Sequence, residues 1–265
     1  MTLRKNVEHT AEVLKNERLT DRYVRLSLRC KEIAGKAQAG QFVNLSCDEY
    51  LRRPLAVATT DGDTFTVGIE IKGKGTKELA ALEPGRKISI LGPLGHGFTL
   101  TRVPQLIMAG GGTGIFPLQL ALEQAKEREA KTLSCFGFRS EKESFLLDEL
   151  DEASDECLFT SDAGDFGLPG NVVTGLNKLW DEGKIEKEAR ILCCGPTPMM
   201  RAVAAFAEEK GLKCEVSREE HMGCGVGLCL ACVCKTKADD TEEGFRYKRS
   251  CLVGPVFNAE DMVWE

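Results

Sequence analysis

The pattern of apolar and polar positions changes once along the chain, near residue 100. Before that point, short runs rich in Val, Ile, Thr and Phe are separated by turns such as Thr60-Asp-Gly-Asp. This pattern is typical of short antiparallel strands that close into a small barrel. One helix, at 76–82, is expected to end at Glu83-Pro-Gly. The strands are predicted at 8–15, 23–28, 41–47, 55–59, 64–71 and 87–91.

After residue 101, apolar strands alternate with helices. This alternation predicts a parallel sheet with right-handed crossovers and helices on both faces. The uncharged stretch between Arg102 and Glu123 is long enough to cross a bilayer, but its central glycines and Pro117 favour a buried strand, a loop and a helix start. No membrane segment is expected. The strands are predicted at 105–109, 132–138, 157–161 and 191–194, and the helices at 115–128, 171–179 and 196–210.

The fold class is therefore predicted as α/β plus β in three domains. A barrel occupies 1–100, a parallel-sheet domain 101–211 and a small cysteine-bearing domain 212–265. The acidic insert that begins at Lys237 is predicted to form the solvent-exposed tip of a hairpin. The net charge of −6 argues against binding to nucleic acid or to an anionic membrane through a general positive field.

Four cysteines of the last domain, Cys224, Cys229, Cys232 and Cys251, have the spacing C-x4-C-x2-C followed by a distant cysteine. This is the plant-type spacing for a 2Fe–2S cluster. The glycines between them fit a loop that wraps closely around a cluster and points amides at sulfur. Cys234 is expected to be a small buried residue and not a ligand.

Zinc binding and disulfide formation are the two alternative roles of the cysteines. Zinc remains an alternative because thiolates also bind it tetrahedrally, although only Cys229 and Cys232 form a C-x2-C pair. Disulfides are disfavoured, because Met1-Thr-Leu-Arg-Lys does not begin an export leader and a reducing cytoplasm is expected.

Two motifs of the parallel-sheet region predict a dinucleotide site. The loop that starts at Met108-Ala-Gly-Gly-Gly-Thr-Gly joins a strand to a helix and can bring amides to a pyrophosphate, although a tight turn without a ligand has the same pattern. Cys194-Gly-Pro follows another strand at the edge where open sheets bind ligands. Its thiol is better placed to touch a nicotinamide than to act as a nucleophile, unless it is simply buried. Arg139 and Ser140 stand where an acidic residue usually binds ribose, so NAD and NADP both remain open.

Two motifs of the barrel region suit a flat, phosphate-bearing cofactor. Arg53 and Pro54 offer a guanidinium fork followed by a stiff ring, although a surface arginine pair would look the same. Gly73-Lys-Gly-Thr offers backbone amides where a helix begins.

The order of these motifs from Gln41 to Trp264, including the tail Cys251-Leu-Val-Gly-Pro-Val-Phe, resembles the electron-transfer subunits of dihydroorotate dehydrogenase B. The resemblance implies a barrel that binds FAD, a lobe that binds NAD(H) and a lobe that binds a 2Fe–2S cluster. Ala56 stands where that family usually has serine, and Glu70 where many members have arginine. The implied FAD contacts are Arg53, Pro54, Leu55, Ala56, Gly68, Ile69, Glu70, Gly75 and Thr76. The implied NAD(H) contacts are Gly110, Gly111, Gly112, Gly114, Cys194, Gly195 and Pro196, and the cluster ligands are Cys224, Cys229, Cys232 and Cys251.

A flavin is also expected on chemical grounds, because NADH gives two electrons, a cluster accepts one, and a flavin can do both. The resemblance implies exchange of electrons with an FMN-containing catalytic subunit that converts dihydroorotate to orotate in pyrimidine biosynthesis, in a two-plus-two heterotetramer. A stand-alone NAD(P)H reductase of ferredoxin, polysulfide or another partner is the alternative. A zinc-stapled, nucleotide-binding regulatory protein without redox turnover is a third possibility.

Overall fold

In the computed structural model, which describes residues 8–101 and 103–264, the first six strands form a closed barrel. The strand order is β1-β2-β5-β4-β3-β6, and the assigned pairs are antiparallel. The expected absence of a leader concerns residues 1–5, which lie outside the described part. The elements are β1 (Glu8–Arg18), β2 (Tyr23–Arg29), α1 (Lys31–Ala34), β3 (Phe42–Leu45), β4 (Arg53–Asp61), β5 (Thr64–Glu70), α2 (Lys74–Leu79) and β6 (Lys87–Leu94).

Alternation of buried side chains along the strands fills the barrel that the sequence predicts. Val43 and Leu45 on β3 and Phe65 and Val67 on β5 are all completely or almost completely buried in one apolar core. The one-turn helix α1 was not predicted, because four residues are too few to give a helical period.

The second layer is a seven-stranded sheet in the order β10-β9-β8-β7-β11-β12-β15. All its pairs are parallel except that of β12 with β15. Helices cover both faces, as predicted: Leu118 and Leu150 pack into the core shared with the barrel, whereas Leu176 and Phe206 belong to a separate core. The elements up to β12 are β7 (Gln105–Gly111), α3 (Ile115–Lys126), β8 (Lys131–Phe138), α4 (Leu147–Ala153), β9 (Glu156–Ser161), β10 (Leu168–Pro169), α5 (Val172–Asp181), β11 (Arg190–Cys194), α6 (Thr197–Lys210) and β12 (Lys213–Ser217).

The C-terminal segment combines the cysteine loop with part of this sheet. The predicted hairpin is present as β13 (Val233–Lys237) and β14 (Phe245–Arg249), followed by α7 (Ser250–Val253) and β15 (Val256–Asn258). The sheet therefore takes strands from both sides of residue 211, and the division at 100 and 211 stays a prediction. No helix in the described residues is long and apolar enough to span a membrane.

Helix α3 joins the barrel to the sheet. A side chain at Gly68 would overlap the ring of Phe116, so only glycine lets the helix lie this close to β5. The Gln124 amide donates to the Ala37 carbonyl at 3.0 Å and accepts from the Ala39 N–H at 3.0 Å. The Glu123 carboxylate accepts from the Thr60 N–H at 3.2 Å. These contacts fix the barrel relative to the sheet.

Replacing Glu123 by Gln should stabilise the protein in a pH-dependent way. Burial, opposed by the Thr60 N–H and reinforced by Glu127 and Asp61, raises the pKa of Glu123 from 4.5 to about 7. The native state therefore holds this proton more tightly than the unfolded chain, and stability is lost as pH rises from about 4.5 to about 7. Glu123→Gln, whose amide oxygen still accepts from Thr60, should gain about 1–2 kcal/mol above pH 7 and nothing near pH 4.5.

Chemical unfolding from pH 4.5 to pH 8 measures this difference. The exposed Glu152→Gln makes the same charge change on α4 and should have little effect. A gain that does not depend on pH would contradict the assignment.

Candidate functional site

A cavity of about 530 Å³ lies at the carboxyl edge of the parallel sheet. The loop after β7 supplies Gly111, Gly112 and Thr113 to its wall, and the segment after β11 supplies Pro196. A side chain at Gly114 would overlap the Cys194 carbonyl, so the two loops pack backbone to backbone. This close packing explains why both loops are rich in glycine.

The same cavity has an aromatic wall and a mixed set of charges. Tyr23 and Phe145 have ring centroids 4.6 Å apart, and Phe138 packs edge-on against Phe145. The predicted Arg139 lines the cavity, but Ser140 does not. The charged residues of the wall are Arg22, Lys72, Arg139, Glu70, Glu143, Asp162 and Glu219.

A second cavity of about 240 Å³ lies between the barrel and the start of α3. Predicted cofactor residues from four elements line it, namely Pro54, Leu55 and Ala56 on β4, Gly68 and Glu70 on β5, Thr76 on α2 and Cys194 on β11. The two cavities share the residues Glu70, Lys72, Thr113 and Glu219. The loop after β7 and the barrel strands therefore line two adjoining cavities with a shared wall.

Arg53 and Gly75 form a positively charged edge beside the second cavity. A side chain at Gly75 would come within 2.5 Å of the guanidinium, so the absence of one creates room for Arg53 against the backbone of α2. The Thr76 hydroxyl already accepts from the Lys72 and Gly73 N–H groups at 2.9 and 3.0 Å. Thr76 thus holds the turn in shape, while Arg53 remains the cation suited to a phosphate.

Ile69 and the remaining glycines among the predicted cofactor contacts do not line either cavity. Ile69 is completely buried in the barrel core and is not part of either cavity wall. Gly110, Gly114 and Gly195 also lie behind the walls, where they allow close packing.

Glu70 takes part in a charge cluster that sequence reasoning missed. Its buried carboxylate pairs with Arg22 and, at 2.5 Å, with Lys72. The pairing of Tyr23 with Glu70 between β2 and β5 brings Arg22 there from far along the chain. Arg22 and Lys72 place two positive charges beside the Glu70 carboxylate. Arg22 lies in no recognisable motif, whereas Lys72 is the first residue of the predicted turn Lys72-Gly-Lys-Gly-Thr.

Cys194 is a neutral, buried thiol that lines the smaller cavity. Burial and the nearby Glu219 raise its pKa well above the ordinary range, and it donates to the Ser217 carbonyl at 3.7 Å. No histidine lines either cavity. The geometry therefore does not support a nucleophilic role, and contact with a nicotinamide stays a prediction.

Backbone amides surround the sulfur of Cys224. The N–H groups of Val226, Leu228 and Cys229 point to Sγ at 3.4, 3.2 and 3.4 Å. Partial burial acts to raise the pKa of this thiol, but these donors outweigh it and lower the pKa to about 7. They favour the thiolate, which is the form that binds metal. Gly225 contributes a positive φ of 70° to this turn.

The other three predicted ligands are also thiols. The Cys251 N–H donates to Cys232 Sγ at 3.4 Å, and burial together with Cys232 raises the pKa of Cys251 to about 12. Cys229 is exposed. In the described residues no group of three or more side chains is arranged for a single metal ion. Four thiols with N–H donors to sulfur fit an iron–sulfur cluster.

The cysteine loop packs on the outer face of the barrel. Cys232 and Cys251 form a small apolar cluster with Phe42 on β3 and Leu94 on β6. Cys234 instead lies in the core of the parallel sheet, as expected of a residue that is not a ligand.

Two family models match parts of this chain. Residues 219–263 match the iron–sulfur cluster binding domain of dihydroorotate dehydrogenase B, and residues 108–205 match the oxidoreductase NAD-binding domain. The electron transfer subunit of dihydroorotate dehydrogenase B (NAD(+)) from Caldanaerobacter subterraneus subsp. tengcongensis is 32% identical over 96% of this chain and 98% of its own. That from Bacillus velezensis is 34% identical over 94% of this chain and 96% of its own.

The chain belongs to the family of dihydroorotate dehydrogenase B electron transfer subunits. The predicted family is thus confirmed, and with it an iron–sulfur and not a zinc domain. An NADH-dependent reduced ferredoxin-NADP oxidoreductase, studied for flavin-based electron bifurcation, has a TM-score of 0.86 at 29% identity, covering 96% of this chain and 89% of that one. A ferredoxin NADP+ reductase from Neisseria gonorrhoeae with bound FAD and NADP shares the fold, with a TM-score of 0.67 at 18% identity, covering 80% of this chain and 99% of that one.

Loss of one thiol should remove the cluster and leave the flavin site intact. In Cys251→Ala, one iron lacks a protein ligand, so we expect the visible absorbance and acid-labile sulfide of the cluster to disappear while FAD is retained. Cys234→Ala is the matched control, because that buried cysteine lies in a different core. A full cluster in Cys251→Ala, or its loss in Cys234→Ala, would show that the ligand set is wrong.

The Arg53 edge should contribute to FAD affinity. Gly75→Ala places a methyl group within 2.5 Å of Arg53 Nε, and displacement of the guanidinium should weaken FAD binding about tenfold, or about 1.4 kcal/mol. Gly73→Ala is the control, because a methyl group there meets nothing within 4 Å. Titration of the flavin-stripped variants with FAD measures both constants. Equal FAD affinities of the two variants would contradict a role of Arg53 in FAD binding.

Proposed function

We propose that this chain relays electrons between NAD(H), FAD and a 2Fe–2S cluster, and exchanges them with a catalytic subunit that oxidises dihydroorotate. The observation that carries the proposal is the meeting of the two cavities at Glu70, Lys72, Thr113 and Glu219. A nicotinamide held by the sheet and a flavin held by the barrel would come together there.

The residues of this chain would bind and orient the cofactors. The Gly110 to Gly114 loop and Pro196 would hold the dinucleotide, and Arg53 with Leu55 and Ala56 would hold the flavin. When bound, FAD supplies both two-electron and one-electron chemistry, so it can exchange a hydride with NAD(H) and single electrons with a cluster.

A polar contact lies in the wall that the two cavities share. The Thr113 hydroxyl donates to Glu219 at 2.9 Å, which ties the dinucleotide loop to the segment that leads to Cys224. The aromatic wall would exclude water from the transfer.

An apolar surface beside the cluster loop suits a protein partner. Leu228 and Leu230 are 66% and 60% exposed on either side of Cys229, and Val253 is 44% exposed two residues after Cys251. Large apolar side chains in exposed loops are typical of protein interfaces. They surround the place where a single electron would leave or enter.

A partner subunit agrees with the names of the relatives, which are electron transfer subunits. We further propose that the partner carries FMN, that the complex is a two-plus-two heterotetramer, and that it works in pyrimidine biosynthesis in the cytoplasm. No dihydroorotate chemistry would reside in this chain.

A second candidate is a reductase that serves another partner, such as ferredoxin. The TM-score of 0.86 with the NADH-dependent reduced ferredoxin-NADP oxidoreductase favours it. Rapid reduction of ferredoxin, without binding to a dihydroorotate-oxidising subunit, would select this function.

An anaerobic titration with a purified dihydroorotate-oxidising subunit tests the main proposal. NADH should bleach flavin and cluster in the chain alone, whereas dihydroorotate should do so only when the subunit is present. Leu228→Asp should lose about tenfold or more in partner affinity because it places a charge in the apolar surface, and should keep reduction by NADH.

The exposed Tyr247→Ser, on the distal hairpin, is the control for that variant. Failure of dihydroorotate to reduce the mixture would contradict the proposed partner. Unchanged affinity of Leu228→Asp would contradict only the docking surface.

A further inference from the structure

The side-chain amide of Asn44 is buried and unpaired. The residue has no exposed surface, and neither Nδ2 nor Oδ1 has a hydrogen-bond partner in the described residues. Buried amides are almost always hydrogen-bonded, because an unpaired one loses its interactions with water without compensation. This amide is therefore suited to bind a group that the polypeptide does not supply.

The amide points at the turn that holds the first cluster ligand. A side chain added at Gly225 would overlap Asn44 Nδ2, so the amide nitrogen lies directly against the backbone that follows Cys224. The next residue, Val226, directs its own N–H at Cys224 Sγ from 3.4 Å. Asn44 thus brings a further N–H donor to the same turn from the barrel.

Asn44 lies on the same face of β3 as Phe42, which contacts both the smaller cavity and the cysteine loop. Val43 and Leu45 point into the barrel core, so Phe42 and Asn44 share the outer face. Phe42 lines the smaller cavity and also packs with Cys232 and Cys251. Asn44 lies one strand period further along, about 7 Å away.

A second unpaired group lies near the other ligands. Ser250 is completely buried, and its hydroxyl has no partner in the described residues. Its own N–H donates to the Cys232 carbonyl at 2.7 Å, which places it next to both Cys232 and Cys251. Two polar groups from different elements therefore lack partners around one set of thiols.

We propose that the Asn44 amide donates a hydrogen bond to a sulfur atom of the cluster, and is a positioning residue that raises the cluster's reduction potential. The proposal rests on the proposed function only in requiring that a 2Fe–2S cluster is bound. Reduction adds negative charge to the cluster, so an N–H donor stabilises the reduced form more than the oxidised form. The barrel would thereby set the potential of a cluster held by a different part of the chain.

Asn44→Leu tests this inference, because it keeps the size of the side chain and removes the donor. In the cluster-loaded full chain, the potential from an EPR-monitored redox titration should become more negative by about 59 mV, a tenfold change in the one-electron equilibrium. In the cluster-free chain, the same variant should be as stable as the wild type or more stable, because no hydrogen bond is lost. Thermal unfolding of the cluster-free and cluster-loaded proteins measures the effect of the variant on the stability of each form.

Asn44→Asp is the second variant, since it keeps the shape and replaces the donor nitrogen with an oxygen. It should give a more negative potential or a lower iron content. Gln119→Leu, which removes another buried amide with an unpaired oxygen on α3, should leave the potential unchanged. An unchanged potential in both Asn44 variants, or equal destabilisation of cluster-free and cluster-loaded Asn44→Leu, would overturn the inference. Absence of any cluster from the wild type would instead contradict the proposed function.

Discussion

The contact between Gly68 and the ring of Phe116 is the constraint on which the arrangement of both cavities depends. It brings the first helix of the sheet against β5, and with it the dinucleotide loop that precedes the helix. Any side chain at position 68 would force the two layers apart. Glu70 and Thr113 would then separate, and the two cavities would no longer share a wall.

Close packing that only glycine allows also shapes the glycine loops. The backbone of Gly114 lies against the Cys194 carbonyl, where a methyl group would overlap it. The backbone of Gly75 likewise leaves room for the Arg53 guanidinium. Gly225 permits a turn with positive φ and a close approach to Asn44. The glycines thus bring charged and hydrogen-bonding groups to places where a cofactor can reach them.

Much of this was predictable from the sequence, because cofactor chemistry fixes residue types at fixed spacing. The cysteine spacing, the two glycine loops and the Arg53-Pro54 motif predicted the order of lobes, and short runs rich in Val, Ile, Thr and Phe between turns predicted the closed barrel. Each of these signals is local. The boundary near residue 211 was harder to predict, because a five-residue strand and a three-residue strand carry little periodicity.

The residues that sequence reasoning missed are brought to the site by tertiary pairing. Arg22 reaches Glu70 through the register of β2 and β5, and Glu219 reaches Thr113 after the chain leaves the sheet. Asn44 reaches Gly225 because the cysteine loop folds back on the outer face of β3. In each case the partner is distant in the chain, so no local motif could reveal the contact.

The most direct test of the relay is the response of a flavin-stripped, cluster-loaded protein to NADH. If the barrel cofactor connects the dinucleotide site to the cysteine loop, NADH will leave the cluster oxidised, as monitored by EPR, until FAD is added back. Cluster reduction by NADH at the same rate without FAD would contradict the account.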